Sequence, residues 1–144
     1  MQDTLPIHFA PLQGYTEAIY RNAHDAFFGG VDTYYTPFVR LEKGNFRRRD
    51  VRGIEPENNG VTHLIPQLIA SSAEKAEVIL SLFIEKGYQE VDINLGCPFP
   101  LLAKRHNGSG ILPYPEEVKA LLSIVTRYPQ ISFSVKMRLG WEQP

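Results

Sequence analysis

The chemistry in this sequence gathers around one thiol. Cys97, the single cysteine of the 144 residues, lies in Val91-Asp92-Ile93-Asn94-Leu95-Gly96-Cys97-Pro98, where strand-forming residues run into a Gly-Cys-Pro loop. Free cysteine is among the most buried residue types and often only fills space. A thiol lifted off the carboxyl end of a strand is also placed to react. Cysteine titrates near ~8.5, so at neutral pH it is mainly protonated and can act as a general acid toward a carbanion formed beside it. Paired with a histidine base it would be a nucleophile instead. His106 lies downstream, but the sequence does not fix its position relative to Cys97, so both chemistries stay open.

Three other side chains extend this chemistry. Asn94 offers a donor and an acceptor, a match for the imide or amide edge of a ligand; a strand-end Asn bonding its own backbone is the competing use. Lys136, in Ser134-Val135-Lys136-Met137-Arg138, would be costly to bury unpaired in an apolar strand, whereas at a strand end it can meet an anionic ring or a phosphate. Gln67, next to Pro66, follows the same logic with a neutral amide. Lys104-Arg105-His106, just past the cysteine, is placed to touch a polyanion. The compact Arg47-Arg48-Arg49 group with Arg52 reads as a solvated face. Asn107-Gly108-Ser109-Gly110 could hold phosphate on its backbone amides, although it matches no P-loop or dinucleotide fingerprint.

These residues need elements to position them. Strand-like and helix-like segments alternate. Ile7–Ala10 reads as a strand, followed by a helix that Thr16 caps and that runs to about Phe28, with Ala18, Ile19, Ala23 and Phe27 on or near one face. Thr33–Thr36 is a second strand. Residues 41–60 are charged and irregular, with one short helix over Asn45–Arg52. Thr62–Leu68 is a third strand, interrupted at Pro66. A helix capped by Ser71 or Ser72 runs to Lys86, with Ala76, Ile79, Leu80 and Phe83 at helical spacing. A fourth strand at Glu90–Asn94, a helix from Pro115 to about Arg127 and a fifth strand at Ser132–Met137 complete the pattern.

Alternation of this kind means parallel βαβ units, in either a doubly wound open sheet or a (β/α)8 TIM barrel. In both, function collects at the carboxyl ends of the strands. Those ends carry Pro11, Leu12 and Gln13, then Gln67, then Asn94 and Cys97, then Lys136 and Arg138. Polar groups thus converge on one mouth. A barrel takes about 250 residues, so residues 1–144 are expected to be the N-terminal portion of a barrel domain. A second chain or further strands would complete it.

The bulk properties exclude little and agree with this. At 43% hydrophobic and 22% charged the chain is an ordinary globular one, and a net charge of -1 argues against the whole surface gripping nucleic acid. No stretch nears the ~20 apolar residues of a membrane span. The opening Met1-Gln2-Asp3-Thr4 lacks a secretory pattern. A lone cysteine excludes an intrachain disulfide framework. A cytoplasmic protein without a metal site is the expectation.

Ala10-Pro11-Leu12-Gln13-Gly14, Pro66-Gln67-Leu68, Asp92 to Pro98, Lys104 to Gly110 and Val135 to Gly140, taken together and in this order, resemble the successive signatures of the tRNA-dihydrouridine synthases. The resemblance covers nearly the whole chain and corresponds to the first half of a family member. It implies an FMN-dependent TIM barrel that reduces a uridine of tRNA at C5–C6 with NADPH as reductant. It implies that Pro11, Leu12, Gln13, Gln67 and Lys136 contact FMN and that Asn94 holds the uracil. Cys97 would then protonate C5, and Lys104, Arg105 and Arg138 would attend the substrate. Two other expectations compete. One is an FMN barrel acting on a free pyrimidine, in the manner of a dihydroorotate dehydrogenase; the other is an RNA-binding remnant without chemistry. The family's remaining strands and its helical tRNA-binding domain have no counterpart in residues 1–144.

Overall fold

The computed structural model describes residues 5–143; the Met1–Thr4 opening read above and Pro144 lie outside them. The parallel strands are β1 (His8–Phe9), β2 (Thr33–Tyr35), β5 (Leu64–Ile65), β6 (Gln67–Leu68), β7 (Glu90–Leu95) and β8 (Ser132–Met137). Between them run helices α1 (Ala18–Phe27), α2 (Arg48–Ile54), α3 (Ala73–Glu85), α4 (Pro100–Ala103) and α5 (Pro115–Arg127), and a hairpin of β3 (Leu41–Glu42) and β4 (Asn45–Phe46).

β5 and β6 are the two halves of the expected third strand, parted at Pro66, which has no N–H for the ladder. Neighbouring groups bridge the break. Thr36 N donates to Ile65 O at 3.1 Å and Asp92 N to Pro66 O at 3.0 Å, while Thr36 Oγ1 accepts from Gln67 N at 3.0 Å. Strand neighbours therefore run β1-β2-β5 and β6-β7-β8, in sequence order and without reversal. A doubly wound sheet reverses direction at a switch point. This sheet has none among the described residues, and its order is that of a barrel arc.

The outer face of the arc is the core. Val91, Ile93 and Leu95 of β7 pack with Ala76, Ile79, Leu80 and Phe83 of α3 and with Leu121 and Ile124 of α5, all at most 2% exposed. Each large side chain buried this way stabilises the fold by about 1.5–3 kcal/mol. Alternate residues point to the other face. There Asp92 pairs in register with Gln67 and with Ser134, and Asn94 with Lys136. The period of two thus separates an apolar outside from a polar inside. α3 and α5 form where the apolar spacing places them, and Ser72 Oγ caps α3 by accepting from Lys75 N.

Two local expectations fail. Ile19, Ala23 and Phe27 face outward, with Ile19 84% and Phe27 85% exposed, while Arg21 is fully buried. A polar network has turned α1 over. Arg21 donates to Thr16 O at 2.6 Å, Gly53 O at 2.8 Å and Asn59 Oδ1 at 2.5 Å, and Asn22 bonds the backbone of Asn58 and Gly60. Burial pulls the Arg21 pKa down to about 10. Thr16 does not cap α1, whose N-cap is Glu17. Its hydroxyl instead accepts from Leu12 N at 2.9 Å. Second, the irregular 41–60 stretch contains the β3–β4 hairpin before its helix, and α2 starts at Arg48 rather than Asn45. Lys43 and Gly44 both have positive φ, 50° and 79°, the signature of a tight hairpin turn.

Candidate functional site

β7 delivers two inward side chains to the site, and both are held by hydrogen bonds. Asn94 Oδ1 accepts from Gly96 N at 3.1 Å and from Cys97 N at 2.9 Å. This is the Asx-type turn that competed with ligand binding for this residue. Asn94 Nδ2 donates to Gln67 Oε1 at 2.8 Å, and Gln67 Nε2 donates to Asp92 Oδ2 at 2.6 Å. Ser134 Oγ donates to the other Asp92 oxygen at 2.7 Å. Four side chains from three strands therefore form one hydrogen-bonded line ending at the cysteine loop. Gln67 is fully buried, so its part in this arrangement is to hold Asn94. Burial pushes the Asp92 carboxyl above its ordinary range, opposed by the Ser134 and Gln67 hydrogen bonds and the Lys136 charge.

The loop is held from the other side too. Cys97 O accepts from Ser109 N and Ser109 Oγ, both at 3.0 Å, and Arg138 Nε donates to Gly96 O at 2.8 Å. The Gly108-Ser109-Gly110 run is buried and serves this packing rather than a phosphate. A Cβ on Gly108 would sit 2.5 Å from Cys97 O, and one on Gly110 would sit 2.2 Å from Ala103 O. Cys97 itself is half-buried and free, and its Sγ makes no hydrogen bond among the described residues. No hydrogen bond joins Cys97 to His106 among the described residues. The His106 Nδ1 lies 2.7 Å from Glu117 and its ring stacks on Tyr114 at 4.0 Å.

On the inner face of the arc, His8, Pro11, Tyr35, Asp92, Ser134 and Lys136 line a cavity of about 290 Å³. Pro11 and Lys136, from opposite ends of the sheet, are thereby brought together. His8 Nδ1 lies 3.0 Å from Tyr35 Oη; burial, then the Asp92 charge, raises the Tyr35 pKa. Leu12 is exposed in the turn that Thr16 pins. Gln13 carries a buried Nε2 and Oε1, both without a partner among the described residues. Lys136 is exposed beside Asn94. An uncommitted amide and a free ammonium at the strand ends suit a polar, anionic ligand.

A second concavity of about 480 Å³ opens between the β3–β4 hairpin and α4 and is lined by Arg40, Lys43, Lys75, Arg105, Phe99 and Leu101 among others. Lys104 and Arg105 are exposed, and neither they nor Lys43 form an ion pair among the described residues. The 47–52 cluster is more committed: Arg47 approaches Asp50 at 3.8 Å and Arg49 approaches Glu17 at 3.7 Å. No group of three or more metal-ligating side chains occurs among the described residues, and no described helix is long and apolar enough to cross a membrane.

Sequence reasoning named Gln67, Asn94, Cys97, Arg138 and Lys136, and the fold sets them along adjoining strands. It missed Asp92, Ser134 and Thr16. A signal for Asp92 was present: an acid at the centre of Val-Asp-Ile-Asn-Leu has to face a polar interior or be paired. Ser134 and Thr16 carried no local signal, because their roles exist only across strands or turns.

The chain is similar to known proteins along nearly its whole length. The "Probable tRNA-dihydrouridine synthase 1" of Synechocystis sp. is 29% identical over 139 residues, covering 92% of this chain and 37% of that protein. The tRNA-dihydrouridine synthase B of Pasteurella multocida is 23% identical over 137 residues, covering 95% and 41%. The tRNA-dihydrouridine synthase B of Klebsiella pneumoniae is 33% identical over 76 residues, covering 53% and 24%. The chain thus spans at most about two fifths of these relatives. Residues 8–144 match the family described as dihydrouridine synthase (Dus), and the chain belongs to that family.

Proposed function

We propose that this chain forms the thiol-bearing part of a TIM-barrel oxidoreductase that reduces a uridine of tRNA to 5,6-dihydrouridine. The activity is that of a longer protein, as it is in the relatives whose names carry it. One observation carries the reading. The Cys97 backbone is held on both sides, by Asn94 and Ser109, while its Sγ has no partner among the described residues. A side chain fixed in place yet uncommitted is what a general acid requires.

The residues present fit a flavin. The exposed Lys136 offers a charge beside Pro11 in the inner cavity, and in the turn that follows β1, next to the exposed Leu12, the orphaned Gln13 amide is the candidate donor and acceptor for a ring imide. Gln67, also expected at the flavin, is buried and braces Asn94. Reduced FMN, itself reduced by NADPH, would supply the hydride for C6. Cys97 gives its Sγ proton to C5, so that the double bond takes up one hydride and one proton, and the thiolate is reprotonated from solvent. Asn94 keeps one Nδ2 hydrogen free for a uracil carbonyl. The target base has to leave its stack to reach the thiol. Lys104 and Arg105 are placed to hold the phosphates flanking that base, and Arg138 acts on the loop through Gly96 O.

Cys97→Ala in the full-length enzyme is expected to lower dihydrouridine formation about 10²–10⁴-fold, the usual worth of a general acid, with flavin absorbance retained. Mass spectrometry of digested tRNA reads the product. Normal product yield in this variant would remove Cys97 from the proton transfer. Reduction of free uracil or orotate in place of tRNA by the unaltered enzyme would refute the tRNA reading.

A further inference from the structure

We infer that Asp92 is a positioning residue for Cys97, acting through Gln67 and Asn94 as a relay of hydrogen bonds with one enforced direction. The geometry fixes that direction from both ends. At the loop end, Gly96 and Cys97 present backbone N–H groups, which can only donate, so Asn94 must turn its oxygen to them. Its Nδ2 then faces Gln67, which must answer with Oε1. That turns Gln67 Nε2 toward Asp92, where only an acceptor is acceptable, and a carboxylate supplies one. Gln67 is fully buried and Asp92 3% exposed, so at the centre of the line no water reaches Gln67 to replace a missing partner. An unpaired buried donor anywhere along the line costs more than the hydrogen bond it replaces. Reversing one amide would therefore reverse the next and bring two donors face to face at the cysteine loop. Ser134, donating to the second Asp92 oxygen, keeps the carboxylate oriented.

This role goes beyond the proton transfer itself. Its catalytic consequence rests on the reading of Cys97 as proton donor, but its geometry does not. The titratable groups facing the Asp92 end are Lys136 from β8, Tyr35 from β2 and, through Tyr35, His8 from β1.

The test is a set of variants at the two central positions, made in the full chain, with the alkylation rate of Cys97 read by mass spectrometry of its peptide. Each rate is divided by the unaltered protein's at the same pH, which cancels the titration of the thiol. In Q67E two carboxyl groups face each other. At low pH they share a proton and the carboxyl at position 67 still accepts from Asn94; at high pH both ionise, and their repulsion drives the side chain at position 67 out of line so that Asn94 Nδ2 loses its acceptor. The expected result is a ratio near one at pH 5 that rises about five- to tenfold by pH 8, the factor given by losing the net worth of one hydrogen bond. The double variant D92N/Q67E lets an amide donate to a carboxylate and is expected to stay near one throughout. Both carry the same change at position 67, so any effect of that change on flavin binding cancels between them. D92N alone, whose amide oxygen can still accept from Gln67, is expected to resemble the unaltered protein, and D92L is expected to match Q67E at pH 8. Equal pH profiles for Q67E and D92N/Q67E, or an unchanged rate in D92L, would overturn the relay. Alkylation needs neither flavin nor RNA, so an unaltered protein that fails to make dihydrouridine would defeat the functional reading and leave the relay standing.

Discussion

The buried carboxyl of Asp92, two side chains removed from Cys97, couples this region to pH. Burial raises the Asp92 pKa above its ordinary 3.8. Between that value and the raised one, the folded chain binds more protons than the unfolded chain, so stability falls as pH rises through this window. D92N removes the titrating group, and chemical denaturation from pH 4 to pH 7 is expected to show a shallower decline than in the unaltered protein. An identical decline would mean that the Asp50 carboxyl, also raised by burial and opposed by Arg47 and Arg49, carries the effect. At this scale the sequence was informative about Asn94 and Cys97, because residue type and strand-end position suffice to nominate them. It said less about how Asn94 is used, since one amide can serve a ligand or a backbone equally well and only the loop's geometry decides.

Elements whose cause is local were legible. α3 and α5 follow from apolar spacing and an N-terminal Ser or Pro, and the break between β5 and β6 follows from the missing N–H of Pro66. α1 was readable as a helix but not in its orientation. The buried guanidinium of Arg21 satisfies carbonyl groups around residues 53 and 59, and no window around α1 contains those partners. The β3–β4 hairpin was missed because Lys43-Gly44 makes its turn without the Asn-Gly or Asp-Gly pair that usually announces one. The Gly108–Ile111 turn corrects a more tempting inference, for its glycines are set by close approach and not by a ligand. Gly110→Ala forces a methyl against the Ala103 backbone and is expected to cost about 1–3 kcal/mol by the overpacking rule. Urea denaturation measures it, and a cost below ~0.5 kcal/mol would show that the α4 segment yields without strain.

For the whole molecule, a net charge of -1 hides an uneven surface. Lys43, Lys75 and Arg105 share one concavity with Phe99, while the 47–52 arginines spend part of their charge on Asp50 and Glu17. The sequence already set the 47–52 group apart as a solvated face, and the pairing of Arg47 and Arg49 gives that difference a structural cause. If this concavity receives tRNA phosphates, as its cations without an ion pair among the described residues suggest, K43A with R105A in the full-length protein is expected to weaken tRNA binding and to reduce the slope of log affinity against log salt by about 2. R47A and R49A, which remove the arginines already paired with Asp50 and Glu17, are expected to leave the slope unchanged, and an equal effect from both pairs would assign the RNA contact to bulk charge. The barrel arc was legible as a family of two architectures. Strand order chose between them, and strand order is a property of pairing that no single segment carries.

That order has a consequence for how the molecule comes into being. Because each parallel strand lies beside the one made a single βα unit earlier, every pairing partner already exists when a new strand leaves the ribosome. Growth can then proceed by adding units to one edge, and only the closing of a barrel onto β1 would wait for strands made later. The six-residue register between β7 and β8 is the longest such addition. Ser134 and Arg138 arrive with it, so the loop that carries the thiol gains its last hydrogen bonds only when the last described strand is in place.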